Sequence, residues 1–591
     1  MARHDPHSYT DLSQARIEHI AFRLEIDFEE RRIHGQATYR LDRLCRGPLD
    51  LDTRGLDILA VQSAGAPLRW DLGADDPILG QRLRLADLKG RREVEIQFRT
   101  RPEAGALQWL TPEQTGGRQH PYLFTQCQPI NARTVFPCQD SPSVRFTYEA
   151  EVLAPAPLTA LMAAAARSVE AAGPARRFRF AMPQPIPSYL FALAVGDITR
   201  RDLGPRTAVF TEPYLADDAA WEFAQTEQML AEGERLFGPY DWERYDVLVL
   251  PPSFPYGGME NPRLTFMTPT IVAGNRALVN LIAHELAHSW TGNLVTNATW
   301  EDFWLNEGWT TYAERRIIEV LEGPDGANLR AQTGRNTMFR AMRNFGMDSD
   351  PTRLKFSQKG IDPESVVSYV PYEKGYSFLV ALERVVGRPA FDRFAREYIG
   401  DHRFQSLTTE AFVDYLRRKL PTAARAVNLR AWLYEPGFPD DAPPFPSRLA
   451  DAVSERLFDY QEQGRLPQRE QVADWTSSQT YLFLQMLPRP LPLEDCRTLD
   501  QVLDMAHTRI AVNLSNFLVI SIRSGYRDVL PRVEALVGSV GRMFVIEPVF
   551  RALAATPWSR PLARPLFERY RERHHPITVS TIEGGLRREG L

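Results

Sequence analysis

The hydrophobic period of this 591-residue chain changes near residue 200, and that change most constrains its fold. Before it, "HIAFRLEIDFEERRIHGQATYRL", "REVEIQFRT" and "VRFTYEAEVLA" alternate apolar and polar side chains. Strict alternation belongs to strands with one buried face. "RRFRFAMPQPIPSYLFALAVG" adds a strand, a proline-rich turn and a buried apolar strand. Residues 1–199 are therefore predicted to form an antiparallel β domain. Beyond 200 the apolar residues fall three and four apart, as in "AAWEFAQTEQMLAEGERLFG", which closes on Gly238. That is helical spacing with a glycine stop. Further helices are predicted over 272–292 and 306–322. The stretch 435–448, "EPGFPDDAPPFPSR", is rich in proline and has no period, so it reads as a linker. Residues 449–591 read as layered helix pairs without a fixed repeat. A chain of this length exceeds a single core. The expectation is a multidomain α+β protein: a β domain over 1–199, a mixed domain over 200–434, and an all-helical domain over 449–591.

Charge and composition exclude several functions. Seventy basic residues face seventy-five acidic ones, a formal charge of -5, and no dense basic run exists. Neither nucleic acid nor a membrane surface is an expected partner. No apolar stretch reaches the length of about eighteen residues needed to span a bilayer. "MARHDPHSYTDLSQARIEHI" lacks the apolar segment of a secretory signal. Cys45, Cys127, Cys138 and Cys496 are too sparse for a disulfide framework or a thiolate zinc site. A cytoplasmic monomer is expected.

"LIAHELAHSW", residues 281–290, carries the chemistry. On a helix, His284 and His288 are one turn apart and share a face, close enough to hold one metal ion. The pattern arises by chance in roughly a few of every hundred chains this long, so it needs company. Zinc suits two imidazoles and a carboxylate with one position left open for water. A third histidine at the usual spacing is absent, because Thr291 and Leu294 stand there. Glu307, in "WLNEGWTTYAERR", starts the next helical pattern, and an antiparallel helix pair brings it onto the metal. Glu285 leans to the side of the histidine face in an apolar stretch. There it can take a proton from the attacking water and return it to the leaving amine.

Other motifs widen the reading. "HELAHSWTGNLVTNATWEDFWLNEGWT", with "PYGGMEN" before it and "VPYEKG" after it, resembles peptidase family M1, the thermolysin-like zinc aminopeptidases. "QCQPINARTVFPCQDSPSVRFTY" and "PPSFPYGGMENPRLTFMTPT" are most similar to the leukotriene A4 hydrolase and aminopeptidase B branch. The resemblance is most specific between residues 122 and 376. It implies a β saddle, a thermolysin-like catalytic domain holding one zinc ion, and a C-terminal helical domain. It implies that the segment Tyr256, Gly257, Gly258 and Met259 lines an extended substrate. Glu260 then binds the free α-amine with help from Gln128, and Tyr372 stabilises the oxyanion. Glu314 is either a support for a ligand histidine or a solvated carboxylate.

The chain departs from that branch in places. Glu364 stands where the leukotriene A4 hydrolases carry aspartate, and Val367 replaces a tyrosine. Near the C-terminus, "WSRPLARPLF" leaves Arg560, one residue out of register, to receive a substrate carboxylate. The expected function is removal of N-terminal residues from short peptides with a free N-terminus, with arginyl substrates ranking high through Glu364 and an apolar preference as the near alternative. The alternatives are a bifunctional aminopeptidase and epoxide hydrolase, or an inactive peptide-binding scaffold. Intact His284, Glu285, His288, Glu307 and Tyr372 argue against the scaffold.

Overall fold

The computed structural model describes residues 5–591. Its largest sheet has eight strands, in the spatial order Ala165–Ala172, Ala175–Pro187, Arg145–Pro155, Ile17–Asp27, Arg32–Leu41, Glu93–Arg99, Asp57–Ser63 and Ala66–Pro67. Ile20, Phe22 and Leu24 pair with Tyr39, Ala37 and Gly35 on one side, and with Tyr148, Ala150 and Val152 on the other. All lie on the buried face. A slip of one residue would turn each apolar side chain to solvent, so burial sets the register. One pairing departs from the antiparallel expectation: Ile17–Asp27 and Arg145–Pro155 run parallel. They are distant in sequence, so no hairpin dictates their relative direction.

A five-stranded sheet follows, in the order Thr199–Asp202, Thr207–Thr211, Tyr245–Val249, Leu264–Met267 and Gly258–Met259. Its last member is an antiparallel edge strand, with Gly258 opposite Met267. The histidine helix is Val279–Ala287, shorter than predicted, because Gly274 and Arg276 take positive φ angles and turn the chain before it. The next helix, Trp304–Phe345, runs far past 322 and kinks at Gly323, where Pro324 follows. Beyond the kink Leu329 packs into the C-terminal core, Ala331 stays in the core of the preceding domain, and Met338 and Met342 pack on Val370, so the buried positions of that half are divided among separate clusters.

One continuous core extends from Ala15 to Phe445, and the helices from Arg448 to Arg588 bury a second. The proline-rich segment between them is irregular and fastened down. Asn328 and Gln332 of the long helix donate to the carbonyls of Pro446 and Phe445 at 2.8 and 2.7 Å. Arg335 donates to Pro443 and lies over the Phe445 ring.

The C-terminal domain also meets the β domain, where His575 stacks on Phe124 with ring centroids 5.8 Å apart. Burial pulls the His575 imidazole down to about 3. Burial, and then Arg573, pulls His574 down to about 4, and both its ring nitrogens are buried without a partner. Each is neutral in the fold and takes up a proton near pH 6.5 once unfolded. Stability is therefore full above about pH 6.5 and falls as acid approaches the folded values, by roughly 2 kcal/mol per pH unit for the pair. Urea midpoints measured from pH 7 to pH 5 should show this decline, and a flat profile would contradict it.

Candidate active site

The three side chains that could hold a metal ion come from two packed helices. His284 and His288 occupy the last turn and the C-cap of Val279–Ala287, and Glu307 lies in the first turn of Trp304–Phe345. Glu307 Oε2 stands 3.3 Å from His284 Nε2 and 3.6 Å from His288 Nε2. Ligands about 2.0–2.1 Å from a tetrahedral zinc ion are themselves about 3.3–3.4 Å apart, so the spacing fits. Glu307 Oε2 is also buried without a hydrogen-bond partner in the protein, which leaves it free for a cation.

The remaining ring nitrogens are already engaged. Glu314 Oε2 lies 3.1 Å from His284 Nδ1. The Thr291 carbonyl and the Thr310 hydroxyl each lie 3.1 Å from His288 Nδ1. These contacts turn both Nε2 atoms towards Glu307. Glu314, open to two readings in sequence, is buried against His284.

Glu285 is buried beside the edge strand. A Cβ at Gly258 would lie 2.4 Å from Glu285 Oε1, and one at Gly257 would lie 3.0 Å from an Nη of Arg542. The glycine pair is thus required for close approach of the strand. Burial pushes the Glu285 carboxyl up to about 8, against the pull of His284. A carboxyl in that range can both accept and release a proton near neutrality.

Glu260 is buried, and its Oε1 accepts a hydrogen bond from Gln128 Nε2 at 3.1 Å. Both line a cavity of about 550 Å³ together with Tyr256, Gly257, Gly258, Tyr372 and Glu364. Met259 does not line it: its side chain is buried on the far side, where its sulfur accepts from Gln126 Nε2 at 3.1 Å. Strand alternation sends Gly258 and Glu260 inward and Met259 away. The Tyr372 ring stacks on His284 with centroids 5.9 Å apart, and its hydroxyl is directed towards Glu307. The Tyr256 hydroxyl donates to Glu364, whose carboxyl burial pushes up to about 7. Val367 lies in the cavity wall, 40% exposed.

Arg560 is elsewhere. Its Nη1 donates to the Ala554 carbonyl at 3.0 Å, and its Nη2 donates to the carbonyls of Glu589 and Gly590. It ties two helix ends together and is not among the cavity's lining residues, so it cannot be the carboxylate anchor. Arg542 does line the cavity: it is buried, its Nε has no partner and burial lowers its pKa. Nothing in "SVGRMFVIEP" marks it among seventy basic residues. Long-range backbone bonds put it there: Gly541 N donates to the Pro252 carbonyl at 2.7 Å and Met543 N to the Pro255 carbonyl at 2.8 Å. Arg542→Ala should raise KM for a free tripeptide by about tenfold or more, as expected for a lost charged hydrogen bond, and should spare the C-terminally amidated form. Arg560→Ala should leave both unchanged. Equal effects of Arg542→Ala on acid and amide would remove it from the carboxylate site.

A two-histidine, one-carboxylate group with a buried carboxyl on the same helix is the arrangement of a zinc-dependent hydrolase. Models of three protein domains match successive parts of the chain: Peptidase M1 N-terminal domain over 6–190, Peptidase family M1 domain over 221–432, and Leukotriene A4 hydrolase, C-terminal, over 475–586. Leucine aminopeptidase 2 of Emericella nidulans is 37% identical over 609 residues, covering 98% of each chain. Leucine aminopeptidase 2 of Aspergillus niger is 36% identical over 606 residues, again 98% of each. Yeast LTA4 hydrolase in complex with bestatin superposes with a TM-score of 0.92 over 99% of this chain and 97% of that one, at 32% identity. The chain belongs to peptidase family M1. Its enzyme class is that of the family, a zinc metallo-aminopeptidase with one catalytic zinc.

Proposed function

We propose that the enzyme removes the N-terminal residue from short peptides with a free α-amine, with His284, His288 and Glu307 as the zinc ligands. The observation that carries this reading is the buried Glu260 carboxylate, held by Gln128, beside the metal centre. A fixed carboxylate there favours a chain end with positive charge over an internal peptide bond. Zinc supplies Lewis acidity and lowers the pKa of water. Glu285 takes the proton from the attacking water and passes it to the leaving amine. Tyr372 donates its hydroxyl to the carbonyl oxygen as charge develops on it. Arg542 meets the carboxylate of a tripeptide as a paired donor.

Apolar residues such as Pro129, Phe303 and Pro363 line the same cavity as the Tyr256–Glu364 pair. Glu364 is engaged by Tyr256 and holds its proton up to about pH 7, which weakens its attraction for an arginyl side chain. Leucyl substrates should therefore outrank arginyl ones, in keeping with relatives named leucine aminopeptidase 2. Similar structures include that of yeast LTA4 hydrolase, but Val367 offers no hydroxyl in the cavity wall. Epoxide hydrolysis should be feeble beside peptide turnover. A cytoplasmic location is supported by four buried, free cysteines. No helix among the described residues is long and apolar enough to cross a membrane.

The test compares one leucyl peptide in its free and N-acetylated forms, with leukotriene A4 assayed alongside. Acetylation removes the cation and should lower kcat/KM by about a hundredfold, the effect of losing a charged hydrogen bond. Comparable rates would exclude an aminopeptidase mode built on Glu260.

A further inference from the structure

Three aromatic rings run in series from Tyr372 to Arg542. Tyr369 caps the helix Val370–Val386 and Tyr372 lies in its first turn, so the two share a face. Their ring centroids are 5.5 Å apart. The Phe544 ring follows, 5.4 Å from Tyr369, and the Arg542 guanidinium carbon lies 5.7 Å from the Phe544 centroid. All four residues line the cavity. Successive rings are tilted by 39° and 52°, so they do not cover each other face to face. Tyr369 and Phe544 are both half-buried, with ring surface left for an occupant of the cavity. Phe544 belongs to no hydrophobic cluster of the described residues, and Tyr369 only borders the small one around Met338, Met342 and Val370. Core packing does not account for the series.

The edge strand gives the series a direction. Gly257 abuts Arg542, Gly258 abuts Glu285, and Glu260 stands two residues further on. The strand thus passes from Arg542, by way of Glu285, to the carboxylate that meets the α-amine. A peptide with its amine at Glu260 and its scissile carbonyl at Tyr372 has its second residue on the Arg542 side. We propose that Tyr369 and Phe544 bind the side chain of that second residue and select a large apolar or aromatic one. This assignment rests on the aminopeptidase mode built on Glu260. Half-buried rings gain when an apolar side chain covers the rest of their surface. Tilted rings also offer the edge-to-face contacts that aromatic side chains prefer. A cationic side chain gains least, because Arg542 already lies over the Phe544 ring and repels it. Phe544 is held in place through its neighbour, since Met543 N donates to the Pro255 carbonyl at 2.8 Å.

The test measures kcat/KM of the zinc-loaded enzyme for leucine amide and for the amides of leucyl-glycine, leucyl-phenylalanine and leucyl-lysine. Amides carry no terminal carboxylate, so Arg542 adds no charge pairing to the comparison. The phenylalanyl substrate should exceed the glycyl one by about tenfold or more, as for burial of one large apolar side chain. The lysyl substrate should not exceed the glycyl one. Phe544→Ala should lower the phenylalanyl-to-glycyl ratio by about tenfold, and Phe544→Tyr, which keeps the ring, should retain it. Tyr369→Phe should retain it too, because the ring and not the hydroxyl makes the contact. A ratio taken within one protein does not depend on the fraction folded. Leucine amide has no second residue, so its cleavage by the parent enzyme reports on the aminopeptidase mode alone. Failure to cleave it would remove that mode and this assignment with it. Cleavage of leucine amide with no phenylalanyl preference overturns the assignment only. So does a preference that persists in Phe544→Ala, or a lysyl substrate that matches the phenylalanyl one.

Discussion

Glu285→Gln should keep its zinc and lose turnover by about 10²–10⁴-fold, the usual worth of a positioned general base. The substitution preserves shape, which matters where the Gly258 backbone passes so close to the carboxylate. It deletes only the capacity to take a proton from water and return it to the leaving amine. Glu285 is not among the three side chains that converge at His284 Nε2, so metal content should stay near one per chain. His288→Ala serves as the contrast. It removes a ligand whose Nδ1 is fixed by Thr291 and Thr310, and should lose metal and activity together. Metal analysis beside kcat separates the two roles. A metal-free Glu285→Gln enzyme would make Glu285 a structural support and not the base.

Tyr372→Phe carries the second large effect, a fall in kcat of roughly ten- to a thousand-fold with little change in KM, as for an oxyanion donor. The ring should stay in place, because it packs on His284, Phe303 and Tyr369 with centroids 5.9, 6.2 and 5.5 Å away. Only the hydroxyl is then lost. Burial and Glu307 push the Tyr372 pKa well above its ordinary value, so the proton it must donate is present throughout the working range. Hydrolysis of a leucyl amide by both proteins supplies the numbers. A change confined to KM would mean that the hydroxyl binds the substrate before charge develops.

Much of the site was legible because it is local. One helical turn separates His284 from His288, and that spacing alone puts both imidazoles on one face. Period-two alternation carried the register of Ile20, Phe22 and Leu24, since burial of one sheet face leaves no other choice. The motifs around Glu260, Glu307 and Tyr372 were readable by resemblance, as each lies in a short ordered block. Other features were not local. The parallel pairing of Ile17–Asp27 with Arg145–Pro155 joins strands with no shared turn. The long helix looked half its length because its buried positions beyond the kink are divided among separate clusters and leave no single stripe. Arg560 looked right by position but is consumed by carbonyls at helix ends. Arg542, with no period or motif to mark it, reaches the cavity through bonds from Gly541 and Met543 to Pro252 and Pro255. Side-chain periods record which face of an element is buried, and so the sequence by itself determined the elements and the metal motif. They do not record which distant element covers that face, and so the arrival of Arg542 in the cavity was decided only by the packing of one domain on another.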